Sequence, residues 1–311
     1  AIRRGGMQTP TAASDVFHVN NYSGNSNSNL YNTGFNVDMN IHRKASNTSD
    51  TFNLARLIGS KNLYINTTGS EDSNAPKFFE PSNVLNLKDN WWGTQNDIIS
   101  WSWKRAPSYF DVVAYTGTGS ARTISHNLGV VPEMMWVKQR NETRDWQVYH
   151  SALGNQGYLK LHGTDAVTTS NTNRWNSTTP TASVFSVGTS NPTNKSGGTY
   201  ISYHFATVSG VSKVGSYTGD GNAGKQIDCG FTNGASFILI KRSDATGNWF
   251  VWDSARGIVS GNDPYLLLND TAAEEGSGDN VDPHDAGFIV NGPGNNVDGA
   301  THIFYAIAAT S

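Results

Sequence analysis

Three aspartates near the carboxyl end of the sequence could bind a cation. Asp279, Asp282 and Asp285 recur at intervals of three residues in GSGDNVDPHDAGF. Carboxylate oxygens are the ligands that Ca²⁺ prefers in proteins. The spacing differs from that of an EF-hand loop, and acidic side chains are usually only solvated. A Ca²⁺ site and a solvated acidic loop are therefore the two interpretations, and no other cofactor is expected.

Two adjacent tryptophans could bind a ligand or a neighbouring subunit. Trp91 and Trp92 stand in NWWGTQNDIISWSW, immediately before an apolar stretch. Exposed indole rings can stack on a sugar ring or anchor a partner through their faces and N–H groups. Alternatively, one of the two rings covers the end of its own sheet. The sequence favours core cover, with a subunit interface and glycan binding as the alternatives.

Two glycine-rich stretches, GTGSAR and GDGNAGK, faintly resemble phosphate-binding loops. Neither has the spacing G-x-x-x-x-G-K-[ST], and neither begins a helical pattern. Thr-Gly and Asp-Gly are typical of tight hairpin turns, so both stretches are predicted to be turns. The motifs G-x-S-x-G and H-E-x-x-H and paired cysteines do not occur. We therefore expect a protein without enzymatic activity.

Composition and charge make several partners improbable. The net charge is −3 and no run of Lys or Arg occurs, whereas nucleic-acid binding requires a basic stripe. No apolar stretch approaches the roughly 18 residues of a membrane-spanning helix, so neither nucleic acid nor membrane insertion is expected. Cys229 is the only cysteine and cannot form an internal disulfide. Low charge with abundant Asn, Ser, Thr and Gly is typical of an exposed extracellular surface.

The sequence after about residue 108 contains an internal duplication. YTGTGSARTI at Tyr115 recurs as YTGDGNAGKQI at Tyr217, 102 residues later. MMWVKQR aligns with FILIKRS, and RDWQVYHSALG with GNWFVWDSARG, each at a separation of 103 residues. TYISYHFA and THIFYAIA close the two copies. Landmarks that recur in one order at one spacing indicate a duplicated unit of about 100 residues.

A more diverged copy precedes these two. It contains NNYSG, VDMNIHRK, TFNLARLIG, LYINTTGSE and DIISWSWKRAP, and its Ile99 lies 102 residues before Ile201. The predicted repeats are residues 15–107, 108–208 and 209–311. The connections KRAPSYF and TVSGVSK are only a few residues long, and we expect them to be ordered and to contact both neighbouring repeats.

The repeats argue against a catalytic or metal-binding role for the histidines. His126, His150 and His162 all fall in the second repeat, although imidazole can act as an acid, a base or a metal ligand. The corresponding positions of the third repeat carry Cys229, Asp253 and Asn269 or its neighbour. An active role would therefore be confined to one copy, and the histidines are interpreted as structural or surface residues.

The pattern within each repeat has a period of two. YISYHFA, HIFYAIA and SFILIKR alternate or run apolar for five to seven residues, as half-buried and core strands do. Gly-, Asn- and Ser-rich stretches separate them at the spacing of an antiparallel sandwich. We predict an all-β protein, a tandem array of three jelly-roll-like antiparallel β-sandwich repeats.

The first residues resemble the end of another repeat. Ile2-Arg3-Arg4 aligns with Trp103-Lys104-Arg105, the end of the closing strand of the first repeat. Residues 1–14 are therefore predicted to be the closing strand of a missing upstream repeat followed by a linker.

The motifs are similar to a family of uncharacterised β-sandwich repeats in virion proteins of marine tailed bacteriophages, including cyanophages. The resemblance rests on WKRAPSYFDVVAYTGTGSARTISHNLGVVPEMMWVK, DWQVYHSALG, TGNWFVWDSARGI, YLLLN and GGTYISYHFA. It covers nearly the whole chain, and the first repeat departs most. It implies a virion protein of a tail fibre, appendage or particle surface, and it transfers no catalytic residue.

The leading functional hypothesis is a structural virion component, extracellular and assembled with copies of itself and other virion proteins. Tandem units add length and subunit contacts without requiring a site. The alternatives are a lectin-like module that adsorbs the virus to a host surface glycan, and a capsid decoration protein. A glycan-degrading enzyme would need a pair of carboxylates across a cleft, and the sequence identifies no such pair.

Overall fold

A computed structural model describes residues 7–22, 30–72, 84–86 and 97–310. These residues form an all-β structure, as predicted. Short 3₁₀ helices occur at Ala13–Asp15, Arg56–Ile58 and Ser151–Leu153, and the one-turn helix α1 covers Asn191–Asn194. Ile2-Arg3-Arg4 and the tryptophans Trp91 and Trp92 lie outside the described residues.

The strands fall into three consecutive segments, which we call the first (7–107), second (108–208) and third (209–310). The first segment contains β1 (Phe17–Tyr22), β2 (Leu30–Asn32), β3 (Met39–Lys44), β4 (Phe52–Ala55), β5 (Asn62–Tyr64), β6 (Val84–Asn86) and β7 (Ile98–Trp103). The second contains β8 (Phe110–Thr116), β9 (Arg122–Ser125), β10 (Met134–Gln139), β11 (Gln147–His150), β12 (Leu159–Lys160), β13 (Val184–Val187) and β14 (Thr199–Phe205). The third contains β15 (Ser212–Thr218), β16 (Lys225–Asp228), β17 (Ala235–Arg242), β18 (Trp249–Asp253), β19 (Leu266–Leu267), β20 (Val281–His284), β21 (Gly287–Val290) and β22 (Thr301–Ala308).

Each segment has one five-stranded antiparallel sheet, and the strand order is the same in all three. The orders are β1-β7-β3-β4-β5, β8-β14-β10-β11-β12 and β15-β22-β17-β18-β19. A smaller sheet accompanies each, formed by β2-β6, β13-β9 and β16-β21-β20. Lys138 pairs with Ile201 and Lys241 with Ile303, so the register is also the same in the second and third segments.

Alternation along the strands explains how each large sheet is buried on both faces. In β10, Met134 and Trp136 point to one face, while Met135 and Val137 point to the other. The outer face packs under the small sheet, where Met135 and Val137 share a cluster with Phe185. Burial on both sides accounts for the continuous apolar run MMWV. In a sheet with one solvent-exposed face, apolar and polar residues would alternate along the strand instead.

The inner faces of the three large sheets share one core. The rings of Trp103 and Phe237 lie 5.5 Å apart between centroids, and those of Phe205 and Tyr305 lie 5.0 Å apart. These pairs join the first segment to the third and the second to the third. Edge-to-face and tilted aromatic pairs of this kind add to the stabilisation from buried area. The segments therefore enclose a common interior and are not separate units along a thread.

The Tyr-Thr-Gly motif has a specific packing function. The hydroxyls of Tyr115 and Tyr217 donate to the carbonyls of Thr193 (2.7 Å) and Asn295 (2.5 Å). A Cβ on Gly219, the last residue of the second motif, would lie 2.0 Å from the backbone oxygen of Val297. Only glycine permits this approach of two backbone segments. The corresponding Gly117 is equally close to a backbone oxygen, at 2.2 Å.

The connections between segments are ordered turns. The Tyr109 N–H donates to the Ala106 carbonyl at 3.2 Å, and the Val211 N–H donates to the Val208 carbonyl at 2.9 Å. The first segment begins with the same turn, in which the Val16 N–H donates to Ala13 at 3.0 Å.

Candidate functional site

The three segments meet at three equivalent junctions built on one loop. In each segment an isolated bridge closes the loop beside the fifth strand. The bridges are Asn62–Asp72, Tyr158–Thr168 and Tyr265–Glu275. Six residues after the first member of each bridge stands a threonine, and these threonines are Thr68, Thr164 and Thr271. The contacts made by their carbonyls define how the segments are joined.

Backbone hydrogen bonds connect these loops in a closed cycle. The carbonyl of Thr68 accepts the N–H of Arg144, and that of Thr164 accepts the N–H of Gly247, both at 2.9 Å. The carbonyl of Thr271 accepts the N–H of Ser49 at 2.9 Å. The second segment thus binds the first, the third binds the second, and the first binds the third. Such head-to-tail contacts form a ring when the rotation between units closes.

A buried cation reinforces each junction. Lys138 Nζ lies 3.3 Å from the Thr68 oxygen, Lys241 Nζ lies 3.4 Å from the Thr164 oxygen, and both side chains are buried. Burial lowers the pKa of both lysines to about 8. Their hydrogen-bond partners are backbone carbonyls, and a buried cation needs such partners because desolvation is costly. We interpret these lysines as structural residues that hold the loops.

Arg43 takes the lysine position at the junction between the third and first segments. Its Nη2 donates to the carbonyl of Thr271 at 3.0 Å, and its side chain is buried. Burial, together with the positive charge of Arg256, lowers its pKa to about 10.

Arg43 also replaces a tryptophan of the other two junctions. Trp146 Nε1 donates to the Tyr64 carbonyl at 2.9 Å, and Trp249 Nε1 donates to the Lys160 carbonyl at 3.0 Å. The first segment has Thr51 in place of these tryptophans. There Arg43 Nη1 donates to the Leu267 carbonyl at 2.9 Å, at the loop position of Tyr64 and Lys160. The guanidinium fork has enough donors to satisfy both carbonyls at once.

Charged side chains lie beside the first two junctions, and at the first of them Asp38 and Arg105 line a cavity of about 520 Å³. Between the first and second segments, Arg105 Nε donates to Asp111 at 2.6 Å, and the backbone N–H of Arg105 donates to Asp38 at 2.8 Å. Between the second and third segments, Glu133 accepts the backbone N–H of Thr207 at 2.6 Å.

Small neutral residues occupy the same positions at the third junction. Ser236 replaces Asp38 and Glu133, as shown by one backbone contact that all three segments share. In that contact the N–H of Arg56, Ser151 or Ser254 donates to the carbonyl of Asp38, Glu133 or Ser236, at 2.9, 2.7 and 2.9 Å. Ala309 likewise replaces Arg105 and Thr207.

A cavity of about 690 Å³ lies beside these small residues. Its wall from the third segment includes Ser236, Ser254 and Ala309, and its wall from the first segment includes Ser14, His18 and Asn32. Burial lowers the pKa of His18, which favours the neutral ring. No charged side chain of the described residues lines this cavity.

The three predicted aspartates have different surroundings in the structure. Asn291 Nδ2 donates to Asp279 at 2.8 Å and to Asp282 at 2.6 Å, which brings these two carboxylates together. Asp285 is exposed in the turn between β20 and β21. In the part of the chain that the structure describes, no group of three or more His, Cys, Asp or Glu side chains is arranged to hold a metal ion.

A neighbouring buried carboxylate, Asp263, was not predicted from the sequence. It accepts the backbone N–H of Val259 at 2.9 Å and that of Val281 at 3.3 Å. Desolvation raises its pKa to about 6, with a smaller contribution from the charges of Asp282 and Asp279. Asp-Pro at positions 263–264 signals a turn, but nothing in the sequence signals burial.

The histidines of the second segment make local contacts. His126 Nε2 lies 3.1 Å from the Thr181 oxygen, and His162 Nε2 lies 3.3 Å from Asp145. His150 Nδ1 accepts the Ala152 N–H at 3.2 Å, and Asp253 accepts the Ala255 N–H at 3.1 Å in the equivalent turn. The His-to-Asp replacement between segments therefore preserves an acceptor that caps this turn.

Comparison with known proteins identifies one family. A family described as Domain of unknown function (DUF7483) matches residues 12–310 and so spans all three segments. No curated protein and no solved structure matches the chain. Across the described ranges, no helix has the length and apolar character needed to cross a membrane.

Proposed function

The chain belongs to the DUF7483 family, whose function is unknown, and we propose from its architecture that it is a structural virion component. In this proposal three β-sandwich repeats, residues 15–107, 108–208 and 209–311, close into a pseudo-three-fold ring. The ring is a building unit of a tail fibre, appendage or particle surface, and it assembles with other virion proteins and with its own copies.

The recurrence of strand order and junction contacts supports three repeats. One sheet order appears three times, and each junction uses the same loop threonine and a cation at the same strand position. The family match extends over the three segments together, as expected if the ring is the unit that is inherited.

The closed cycle of junctions is the observation that carries the structural role. Buried cations and interior aromatic pairs stabilise the contacts between segments, and their partners lie within the chain. A closed ring uses up the surfaces that join its own repeats, so contacts with further copies would form on other faces. The motifs shared with phage virion repeats supply the virion setting. Capsid decoration is the alternative location on the particle.

Mass spectrometry and electron cryomicroscopy of purified particles test the proposal. We expect the chain in the particles at a stoichiometry that matches an appendage, and a three-lobed density that fits the ring. Absence of the chain from purified particles, with recovery from the infected-cell lysate, would contradict a virion role. An appendage and a decoration protein are distinguished by the position of the density.

A further inference from the structure

We infer that the cavity between the first and third segments binds a neutral polyhydroxylated ligand, of the size of one or two sugar units. This inference adds a binding site to the proposed structural role and does not depend on it. It rests on the volume, position and uncharged lining of the cavity.

The cavity differs from the equivalent place at the first junction in having no charged lining among the described residues. At the first junction a cavity of about 520 Å³ is lined by the charged residues Asp38, Lys104 and Arg105. At the second junction Glu133 binds the connection to the next segment. At the third, Ser236 and Ala309 line the cavity. The backbone contact shared by Arg56, Ser151 and Ser254 makes these positions equivalent, so the uncharged lining follows from the identity of the side chains.

The lining favours a neutral ligand with hydroxyl groups. Ser14, Ser254 and Asn32 are exposed, and no contact within the described residues uses the hydroxyls of the two serines. A charged ligand would lose hydration without meeting an opposite charge. A purely apolar ligand would leave the lining donors and acceptors unpaired. A polyol avoids both costs, because its hydroxyls both donate and accept.

The base of the cavity supplies an apolar surface. Phe17 is 5% exposed there and packs on Phe237 at 5.6 Å between ring centroids. Val19 and Ala308 lie beside it. Ligand sites typically combine such apolar walls with a few polar groups, have volumes of about 300–1,000 Å³, and often lie between domains. The cavity has all three properties.

A pair of matched substitutions tests the inference. Ser254→Trp places an indole at an exposed position in the lining of the cavity, whereas Ser151→Trp places it at the equivalent exposed position of the second junction. The probes are a microarray of neutral hexose and N-acetylhexosamine oligosaccharides, with sialylated and uronic acid oligosaccharides as charged comparators. Calorimetric titration of the best neutral probe gives affinities for the full chain and both variants.

We expect neutral oligosaccharides to bind the wild type and Ser151→Trp equally, and Ser254→Trp at least tenfold more weakly. Circular dichroism establishes that both variants are folded, and His18→Phe gives a second loss-of-binding variant if Ser254→Trp does not fold. Three results would overturn the inference: no neutral glycan bound, charged glycans bound preferentially, or equal affinity of the cavity variants and the wild type. Each result leaves the presence of the chain in virions as a separate question.

Discussion

Arg43 Nη2 lies 3.0 Å from the carbonyl oxygen of Thr271, and this contact joins the third segment back to the first. At the other two junctions a lysine binds the same loop carbonyl, and a tryptophan binds a second carbonyl nearby. Arg43 binds both carbonyls. The junction that lacks a covalent connection between its segments is thus the one at which a single side chain holds the loop most extensively.

Replacing Arg43 tests this arrangement. We expect Arg43→Lys to lower the free energy of unfolding by about 1–3 kcal/mol, because one ammonium group cannot replace all the hydrogen bonds from the guanidinium to the Leu267, Asp270 and Ala272 carbonyls. Chemical denaturation measures the change. The double variant Arg43→Lys/Thr51→Trp recreates the lysine and tryptophan of the other junctions and should recover part of the loss. Equal stability of Arg43→Lys and wild type would refute the proposed role.

The two junction lysines predict a rise in stability at alkaline pH. Their pKa values are lowered to about 8 from the ordinary 10.5, so the folded state holds fewer protons than the unfolded state between these values. Both lysines therefore increase the free energy of unfolding as the pH rises from 8 to 10.5. Below pH 8 both lysines are charged in the folded state, and their burial then destabilises that state by its full amount.

The measurement is the pH slope of stability for the wild type and Lys138→Met. We expect a shallower rise between pH 8 and 10.5 in the variant, because one of the two groups is gone. The slope is the readout because Lys138→Met also shifts the absolute stability by leaving carbonyls unpaired. Parallel slopes would show that Lys138 does not titrate differently on folding.

Asp263 is expected to have the opposite effect at acidic pH, where it lowers the free energy of unfolding as the pH rises. Its pKa is raised to about 6 from 3.8, so the folded state holds more protons between these values. Its favourable contribution to the free energy of unfolding is fully present below pH 3.8 and is lost as the pH rises through 6. Thermal denaturation between pH 4 and 7 should show that Asp263→Asn removes this component, while Asp285→Asn, at an exposed position, leaves it unchanged.

The close approach of two backbone segments at Gly219 predicts that the Tyr-Thr-Gly motif requires glycine at this position. A Cβ at this position would lie 2.0 Å from the Val297 backbone oxygen, which cannot move as a flexible side chain could. We expect Gly219→Ala to destabilise the chain by about 1–3 kcal/mol, as overpacked sites do. Gly294→Ala, at a position with open space around it, is the matched control. Similar melting temperatures for the two variants would contradict the prediction.

The strands could be predicted because their signals are local. Alternation in YISYHFA and SFILIKR reflects the side-chain period of a strand, which each residue expresses irrespective of distant partners. The common position of Tyr115 and Tyr217 was visible because both tyrosines make the same contact inside their own segment. His150 and Asp253 could be aligned, but only the structure shows that both cap one turn.

Only the tertiary structure decided how the segments close and what they enclose. Arg43 and Thr271 are separated by more than 200 residues, and no local pattern pairs a strand cation with so distant a carbonyl. The uncharged lining of the cavity depends on Ser236 and Ala309 standing where the first junction carries Asp38 and Arg105, and only the structure shows that these positions are equivalent. Asp263 acquires its raised pKa from burial beside Asp282 and Asp279. Local periodicity specifies strands, whereas ring closure, cavities and shifted pKa values arise from contacts between residues that are far apart along the chain.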